Sequence, residues 1–158
     1  MQSPKIPAFH FNTRFLVTQD SWFGGGTDMT PTLEDRKDKR YFHDRLKVAC
    51  NKHDANYYKE FKKNCDEYFY LPHREEPRGV GGIFFDHLNS GKWEEDFNFV
   101  KEVGLETLNT ITEIVTAKKD LSWTSEEKEK QLLKRGRYVE FNLISVSYTH
   151  LRAHETLR

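Results

Sequence analysis

Three cationic side chains, His73, Arg74 and Arg78, stand within six positions of one another near the middle of the chain. A proline and three glycines in the same stretch would stiffen a turn and let a ligand or backbone approach closely. Phe84 and Phe85 follow, and predict a flat apolar wall on a buried strand. Because a guanidinium binds a carboxylate through two parallel hydrogen bonds, the pattern favours a flat apolar ligand that carries carboxylates. The alternative is that the cations only cap the end of the preceding helix.

Apolar and polar side chains alternate in residues 9–17, which predicts a strand with an apolar back and a polar front. His10, Asn12 and Arg14 share the polar row. A histidine can move a proton, an asparagine can donate and accept hydrogen bonds, and an arginine can bind a carboxylate. A half-exposed strand whose polar side meets water would show the same alternation. We favour a site, because this row combines three residue types that serve chemistry.

Three consecutive glycines, residues 24–26, are followed closely by Asp28. No Gly-Lys-Ser/Thr follows them, so the stretch lacks the pattern of a phosphate-binding loop. A flexible hairpin would explain the glycines, and an ordinary turn would explain Asp28. An inward-facing Asp28 would instead accept hydrogen bonds from N–H groups of a ligand. The residues alone leave both interpretations open.

His43 lies beside the apolar stripe of a predicted helix, where a lone histidine is more often a surface or core residue than a ligand. His10, His43 and His73 come from three different elements and could converge on a metal ion, although their spacing is not itself a metal motif. Cys50 and Cys65 form no CxxC pair. We interpret both as reduced, buried thiols of a cytoplasmic protein, in preference to a disulfide or a zinc site.

The composition excludes several classes of function. In 158 residues, 25 lysines and arginines balance 25 aspartates and glutamates, so no net charge attracts nucleic acid or an anionic membrane. No run approaches the roughly 20 apolar residues of a membrane span, and the N-terminus lacks a signal-peptide core. An aromatic content of 14% and the chain length predict one packed domain or part of one.

The elements that must position these residues follow the order strand, strand, helix, helix, strand, helix, helix, strand. The last two strands are predicted at residues 79–86 and 138–143, from their apolar and alternating character. Since this order contains no regular βαβ repeat, we predict an α+β fold with a largely antiparallel β-sheet covered by α-helices.

The last two helices are defined by their periodicity and their caps. Apolar residues recur every three or four positions over residues 93–115, which predicts one long helix or two that meet near Gly104. The pattern Thr124-x-x-Glu127 is a capping box, and we expect the helix that it opens to end at Gly136.

Five stretches of the chain, taken together and in order, resemble the oxygen-dependent coproporphyrinogen III oxidases. They are residues 10–14 (HFNTR), 22–31 (WFGGGTDMTP), 61–69 (FKKNCDEYF), 73–86 (HREEPRGVGGIFFD) and 135–143 (RGRYVEFNL). The resemblance covers residues 7–144. Each stretch alone would be a weak signal, but the ordered set is specific.

The resemblance implies a flat antiparallel sheet between layers of helices, a homodimer, and a step of heme and porphyrin biosynthesis. Members of this family convert two propionates of coproporphyrinogen III to vinyl groups by oxidative decarboxylation, which gives protoporphyrinogen IX. Molecular oxygen is the oxidant, and no organic cofactor takes part. The substrate carries four carboxylates and inward pyrrole N–H groups, which is the type of ligand that the cationic stretch suggests.

The resemblance also implies roles for individual residues. His10 matches a proposed proton donor, Asp28 an aspartate that contacts pyrrole N–H groups, and Arg78 an arginine near a propionate. The substrate-binding segment of the family falls on Asn12, Thr13 and Arg14. In catalysis, an acceptor at the pyrrole N–H would make the ring electron-rich, while an arginine would fix the carboxylate.

A divalent metal is a further implication, because His10, His43 and His73 match histidines assigned to a metal in some bacterial members. A histidine-metal-dependent oxygenase is therefore one alternative function. A non-catalytic tetrapyrrole-binding protein is another.

We divide the chain into a partial oxidase domain, residues 1–144, and a tail, residues 145–158, which resembles translated adapter sequence more than the family. The family has further strands on both sides of this region, so we expect a domain truncated at both ends. Missing strands would leave unpaired sheet edges and exposed apolar faces. We therefore predict that the isolated chain aggregates or stays partly unfolded and has no oxidase activity.

Overall fold

Three antiparallel strands organise the structure, a computed structural model that describes residues 3–17 and 19–155, with side chains described except at 142 and 144–155. In chain order the elements are β1 (Ala8–Leu16), β2 (Trp22–Thr30), α1 (Arg36–Asn51), α2 (Tyr57–Tyr68), β3 (Tyr70–Leu71), β4 (Glu76–Pro77), β5 (Gly82–Leu88), α3 (Trp93–Lys118) and α4 (Ser125–Glu155). A single 3₁₀ turn, Pro72–Arg74, lies between β3 and β4. The architecture confirms the predicted α+β class.

The main sheet has the strand order β1-β2-β5, so β2 is its central strand. Both neighbours of β2 run antiparallel to it. The glycines at 24–26 lie inside this central strand, which excludes the alternative of a flexible hairpin. Because side chains alternate between the two faces of a sheet, this placement also decides which side chains can meet on each face.

The back face of the sheet carries the core. The helices α1, α2 and α3 cover this face, with α2 against β5 and α3 against β1 and β2. The buried side chains between them are mostly aromatic and aliphatic, namely Phe23, Phe42, Leu46, Phe61, Ile83, Phe85 and Phe99. The ring of Phe9, from the predicted apolar row of β1, contacts this cluster at 6.1 Å from the Phe42 ring centroid. The apolar back of β1 is thereby confirmed.

The helix α3 continues without a break through Gly104, so the periodicity of residues 93–115 marks one helix and not two. The capping box before α4 is also confirmed. The Thr124 amide donates to Glu127 Oε2 across 3.0 Å, and the Glu127 amide donates to Thr124 Oγ1 across 3.2 Å.

The strand predicted at residues 138–143 is wrong, because α4 continues through Gly136 and this segment is helical. In a strand, Val139, Phe141 and Leu143 would share one face. In the helix Phe141 is 9% exposed, whereas Val139 and Leu143 are 53% and 64% exposed. Tyr138 and Phe141, three residues apart, instead fall on the same side, as helical geometry requires. The domain boundary placed after residue 144 stays a prediction.

A small hairpin, β3 paired with β4, separates α2 from β5 and was not foreseen from the sequence. The prediction of a helix end, a turn and a buried strand over residues 68–86 is confirmed. Among the described helices, none has the length and apolar character that a membrane crossing requires.

Candidate active site

Asp28 lies at the centre of a polar cluster on the front face of the sheet, and it is only 4% exposed. The register of β1 and β2 places His10 directly opposite it. His10 Nδ1 lies 3.1 Å from Asp28 Oδ2, and Arg78 Nη2 donates to the same oxygen across 2.5 Å. The structure therefore brings together the three residues that were predicted to be catalytic. Asp28 faces inward, which excludes the alternative of an exposed turn aspartate.

Arg78 reaches this cluster from the turn that precedes β5. The Arg78 amide donates to the carbonyl of Phe69 across 3.0 Å. Two residues later, the Val80 amide donates to the carbonyl of Met29 across 2.9 Å, and the Met29 amide donates to Gly81 across 3.2 Å. These bonds attach the turn to β2 beside Asp28. The backbone that carries the Arg78 side chain therefore has little freedom to move relative to the Asp28 carboxylate.

Aromatic rings surround the Arg78 guanidinium. Its central carbon lies 3.6 Å from the ring centroid of Phe69, 4.9 Å from that of Phe141 and 5.1 Å from that of Tyr138. Such faces attract a cation and exclude water from it. Arg78 Nε is buried and has no hydrogen-bond partner among the described residues. The Nε–H donor of the guanidinium is thus unsatisfied within the described part of the chain.

A second cation stands at the open end of the same face. Arg14 Nη2 lies 2.9 Å from Asp86 Oδ1, and Arg14 Nη1 donates to Asn12 Oδ1 across 2.7 Å. Both charged side chains are about a third exposed. Arg14 is four residues from His10 along β1, a separation of about 13 Å. The central strand contributes only glycine opposite Asn12 and Arg14, so this part of the face is flat.

Thr13, the remaining residue of the predicted substrate-binding segment, does not share this face. It lies between Asn12 and Arg14 in β1 and is exposed. Adjacent residues of a strand point to opposite sides of the sheet. Asn12 and Arg14 therefore join the front face with the Asp28 cluster, while Thr13 belongs to the back.

The three cations His73, Arg74 and Arg78 have different partners in the structure, and only Arg78 contacts Asp28. Arg74 holds Glu140 of α4 through two hydrogen bonds, of 2.8 Å and 3.0 Å, and His73 Nε2 lies 3.0 Å from the same carboxylate. The Arg74 guanidinium and then His73 hold the pKa of Glu140 below its usual range. The two-pronged carboxylate contact expected for a ligand is thus made within the chain.

The apolar wall expected from Phe84 and Phe85 is also corrected, because neighbouring strand residues face opposite ways. Phe85 is 1% exposed in the core behind the sheet. Phe84 lies on the front face, where its ring stacks on Tyr68 at 4.7 Å.

His43 is enclosed between helices and the Arg78 turn, and both of its ring nitrogens have partners. Nε2 lies 2.9 Å from the carbonyl oxygen of Val80, and Nδ1 lies 3.0 Å from the hydroxyl of Tyr58. Burial lowers the pKa of His43, which favours the neutral imidazole. Burial also raises the pKa of Tyr58 to about 12, so its hydroxyl keeps its proton.

These contacts do not fit the metal set predicted from His10, His43 and His73. A histidine ligand needs a ring nitrogen with a free lone pair directed at the metal. His43 uses both nitrogens internally, so it has no lone pair for a metal ion. His10 and His73 each contact a carboxylate through one ring nitrogen only, so the misfit of this set rests on His43. Among the described residues, no group of three or more histidine, cysteine or acidic side chains is placed to hold a metal ion.

Asp86 and Glu140, which position the arginines, were missed from the sequence. For Asp86 a signal existed, because residues 82–88 alternate and place Phe84 and Asp86 on the face opposite the buried Ile83 and Phe85. For Glu140 no such signal exists, because its partner Arg74 lies sixty-six positions away in the chain.

The chain is similar to known proteins over most of its length. Residues 1–151 match the family model described as Coproporphyrinogen III oxidase. The chain is 58% identical over 144 residues to the oxygen-dependent coproporphyrinogen-III oxidase of Rickettsia akari (strain Hartford), an alignment that covers 91% of this chain and 52% of that protein. The proteins of the same name from Rickettsia africae (strain ESF-5) and Rickettsia bellii (strain OSU 85-389) are each 57% identical with the same coverage. The chain spans about half the length of the curated relatives it matches.

Proposed function

The chain belongs to the coproporphyrinogen III oxidase family, and from this premise we propose that the protein takes part in the oxidative decarboxylation of coproporphyrinogen III. Two propionates of the substrate become vinyl groups, giving protoporphyrinogen IX in heme and porphyrin biosynthesis. Molecular oxygen is the co-substrate, in keeping with the oxygen dependence in the relatives' name. Because the chain spans about half of those relatives, complete turnover is proposed for an enzyme of their full length.

The observation that carries this proposal is the cluster of His10, Asp28 and Arg78 at the closed end of a flat, half-open polar face. A carboxylated macrocycle offers two kinds of group to such a face. Its pyrrole N–H groups need an acceptor, and its propionates need cations. Asp28 is the acceptor, while Arg78 and Arg14 are cations that stand at the two ends of the face.

The chemistry asks little of the protein beyond placement and charge. Each propionate loses carbon dioxide as a hydride equivalent leaves the neighbouring carbon, and oxygen accepts the electrons. A carboxylate at the pyrrole N–H makes the ring more electron-rich, which favours departure of the hydride. His10, bonded to Asp28, is placed to give or take the proton that accompanies this step. Fixing a propionate on an arginine prevents free rotation at the reacting carbon.

The Arg78 guanidinium suits a propionate because it lies in a poorly hydrated environment. Its side chain is 3% exposed and is surrounded by the rings of Phe69, Tyr138 and Phe141. In such surroundings a charge-assisted hydrogen bond is stronger than in water. Asp28 already balances one charge, and the buried Nε is a donor that has no acceptor among the described residues.

A homodimer and a cytoplasmic location complete the proposal. The family resemblance supports the dimer. The buried free thiols of Cys50 and Cys65 support a reducing compartment, because disulfides are rare there. The metal-dependent oxygenase and the non-catalytic binder are not favoured by a specific contact among the described residues.

The deciding experiment compares the chain with the full-length Rickettsia akari relative, with and without oxygen. Both proteins receive coproporphyrinogen III, and the fluorescence of the oxidised product is followed. We expect oxygen-dependent product from the relative, no product from the 158-residue chain, and saturable binding of coproporphyrin III by the fraction of that chain that is folded. Absence of binding by a chain that is folded by circular dichroism would reject the proposed site. Binding that is unaffected by Asp28→Ala and Arg78→Ala would reject it equally.

A further inference from the structure

We infer that His43 is a positioning residue for Arg78, acting through the backbone carbonyl of Val80, and that this role replaces metal ligation as the reason for a histidine here. His43 lies on α1, in the helix layer behind the sheet, and does not contact Asp28 in the structure. The inference rests on the proposed function in one respect, which is that Arg78 contacts the ligand.

The proton on the imidazole can be assigned from its neighbours. A carbonyl oxygen only accepts hydrogen bonds, so Nε2 carries the proton and donates it to Val80 across 2.9 Å. Nδ1 then presents a lone pair, and the Tyr58 hydroxyl donates to it across 3.0 Å. His43 is 9% exposed, so neither bond is readily exchanged for water. The ring is thus fixed between α2 and the turn, with no lone pair left for a metal ion.

The contact with Val80 leads directly to the site. Val80 lies two residues after Arg78, and its amide donates to Met29 across 2.9 Å. Met29 follows Asp28 in β2, and its own amide donates to the carbonyl of Gly81. His43 therefore holds a peptide segment that connects the arginine to the strand of its carboxylate partner. Without it, the turn loses a fixed point from the helix layer, and the guanidinium loses its exact approach to Asp28.

Glutamine at position 43 separates the two roles. Its side-chain amide can donate a hydrogen bond to the Val80 carbonyl, as Nε2 of the imidazole does. It is, however, a poor ligand for a transition metal, for which imidazole is the usual donor. Rescue by His43→Gln is therefore expected of a positioning residue and not of a metal ligand.

The experiment uses the folded, monodisperse fraction of the 158-residue chain with four substitutions: His43→Ala, His43→Gln, Tyr58→Phe and, as a matched control, His53→Ala. His53 also lies at the helix layer and bonds an acidic partner, Glu102, away from the turn. Three quantities are measured: amide hydrogen exchange at Val80 and Met29, affinity for coproporphyrin III by fluorescence, and binding of Mn²⁺ alone by calorimetry.

We expect His43→Ala to speed exchange at Val80 and Met29 and to weaken coproporphyrin III binding, each by about tenfold, the factor for loss of one buried hydrogen bond. His43→Gln should restore both values to within about threefold of the original chain. Tyr58→Phe, which keeps the Nε2 donor, should have a smaller effect of the same sign. His53→Ala should change neither quantity, and none of the substitutions should change Mn²⁺ binding.

Two results would overturn the inference. One is unchanged exchange at Val80 and Met29 in a folded His43→Ala chain. The other is stoichiometric Mn²⁺ binding that is lost in both His43→Ala and His43→Gln. If His43→Ala does not fold, the exchange pattern of Tyr58→Phe decides in its place. If the original chain does not bind coproporphyrin III, the proposed function fails while the exchange measurement still tests the role of His43.

Discussion

Arg78 donates a hydrogen bond to Asp28 across 2.5 Å, although the two residues are fifty positions apart in the chain. Their side chains are 3% and 6% exposed, so the pair is formed almost out of contact with water. A buried ion pair adds little net stability, because desolvation offsets attraction. Removing one partner, however, leaves a charge without compensation. The pair therefore couples the sheet to the turn more strongly than its net energy suggests.

The first prediction concerns this coupling. We expect Asp28→Ala and Arg78→Ala each to lower the free energy of unfolding by about 3–5 kcal/mol. The double substitution should cost clearly less than the sum, because no isolated charge remains. Urea denaturation of the four proteins gives the coupling energy. Lys63→Ala, which removes an exposed contact with Glu67 at 3.7 Å, is the control and should change stability by at most about 0.5 kcal/mol. Simple additivity at positions 28 and 78 would contradict the coupling.

The second prediction separates the chemical role of Asp28 from its structural one. Asparagine keeps an oxygen that can accept from Arg78 but removes the negative charge. At the aligned position of the full-length relative, Asp28→Asn should lower kcat by about 100-fold or more, because the electron-rich pyrrole is lost. Binding of coproporphyrin III should stay near normal. Steady-state kinetics and fluorescence titration measure the two effects. An equal loss of binding and turnover would refute the chemical role.

The third prediction concerns Gly24 of the central strand, above which the Arg14 and Asp86 side chains form their ion pair. A Cβ at this position would lie 2.6 Å from Asp86 Oδ1 and 2.8 Å from Arg14 Nε. Gly24→Ala should therefore push both side chain ends aside and weaken coproporphyrin III binding by about tenfold, an effect of ~1.4 kcal/mol. The pair is partly exposed, so its loss should cost at most about 1 kcal/mol of stability.

Gly136 in α4 is the matched control for Gly24, since a Cβ there would meet no atom within 4 Å. Gly136→Ala should leave binding unchanged and stabilise the helix by about 0.5–1 kcal/mol. Fluorescence titration and urea denaturation of both variants test the comparison. Normal binding by Gly24→Ala would show that Arg14 and Asp86 do not serve the ligand.

The fourth prediction concerns the two cysteines. Burial raises the pKa of both Cys50 and Cys65 to about 12. The reactive thiolate is then on the order of 10⁻⁴ of each thiol near pH 8. We expect an aromatic disulfide reagent to label neither residue in the folded chain and both in concentrated guanidinium chloride. Absorbance of the released thiol measures the number of labelled residues. Rapid labelling of either residue in the folded chain would contradict its burial.

Short-range patterns account for the parts of the fold that were predicted correctly. The two-residue alternation of β1 gave both its existence and its faces, since Phe9 packs on the core while His10 meets Asp28. The capping box at Thr124 and Glu127 gave the start of α4. Each of these signals is contained within a few residues, so the sequence displays it in full.

The incorrect predictions arose where two local patterns overlapped or where a partner was distant. Apolar and polar residues alternate in residues 138–143 as they would in a strand, yet Tyr138 and Phe141 also have the spacing of one helix face. In the structure both residues lie in the helix α4, and both rings contact Arg78. Arg74 has the chemistry to bind a ligand carboxylate, but Glu140, sixty-six positions away, occupies it. No local pattern reveals a partner at such a distance.

The sequence by itself determined which residues could do chemistry. It also determined the strand and helix periods and the resemblance to one enzyme family. The tertiary structure decided which of these residues meet. In the structure His10 and Arg78 both contact Asp28. His43 contacts the Val80 carbonyl, and His73 contacts Glu140. The physical reason is that side-chain meetings depend on strand register and on turns between distant elements, where a shift of one residue reverses the face that a side chain occupies.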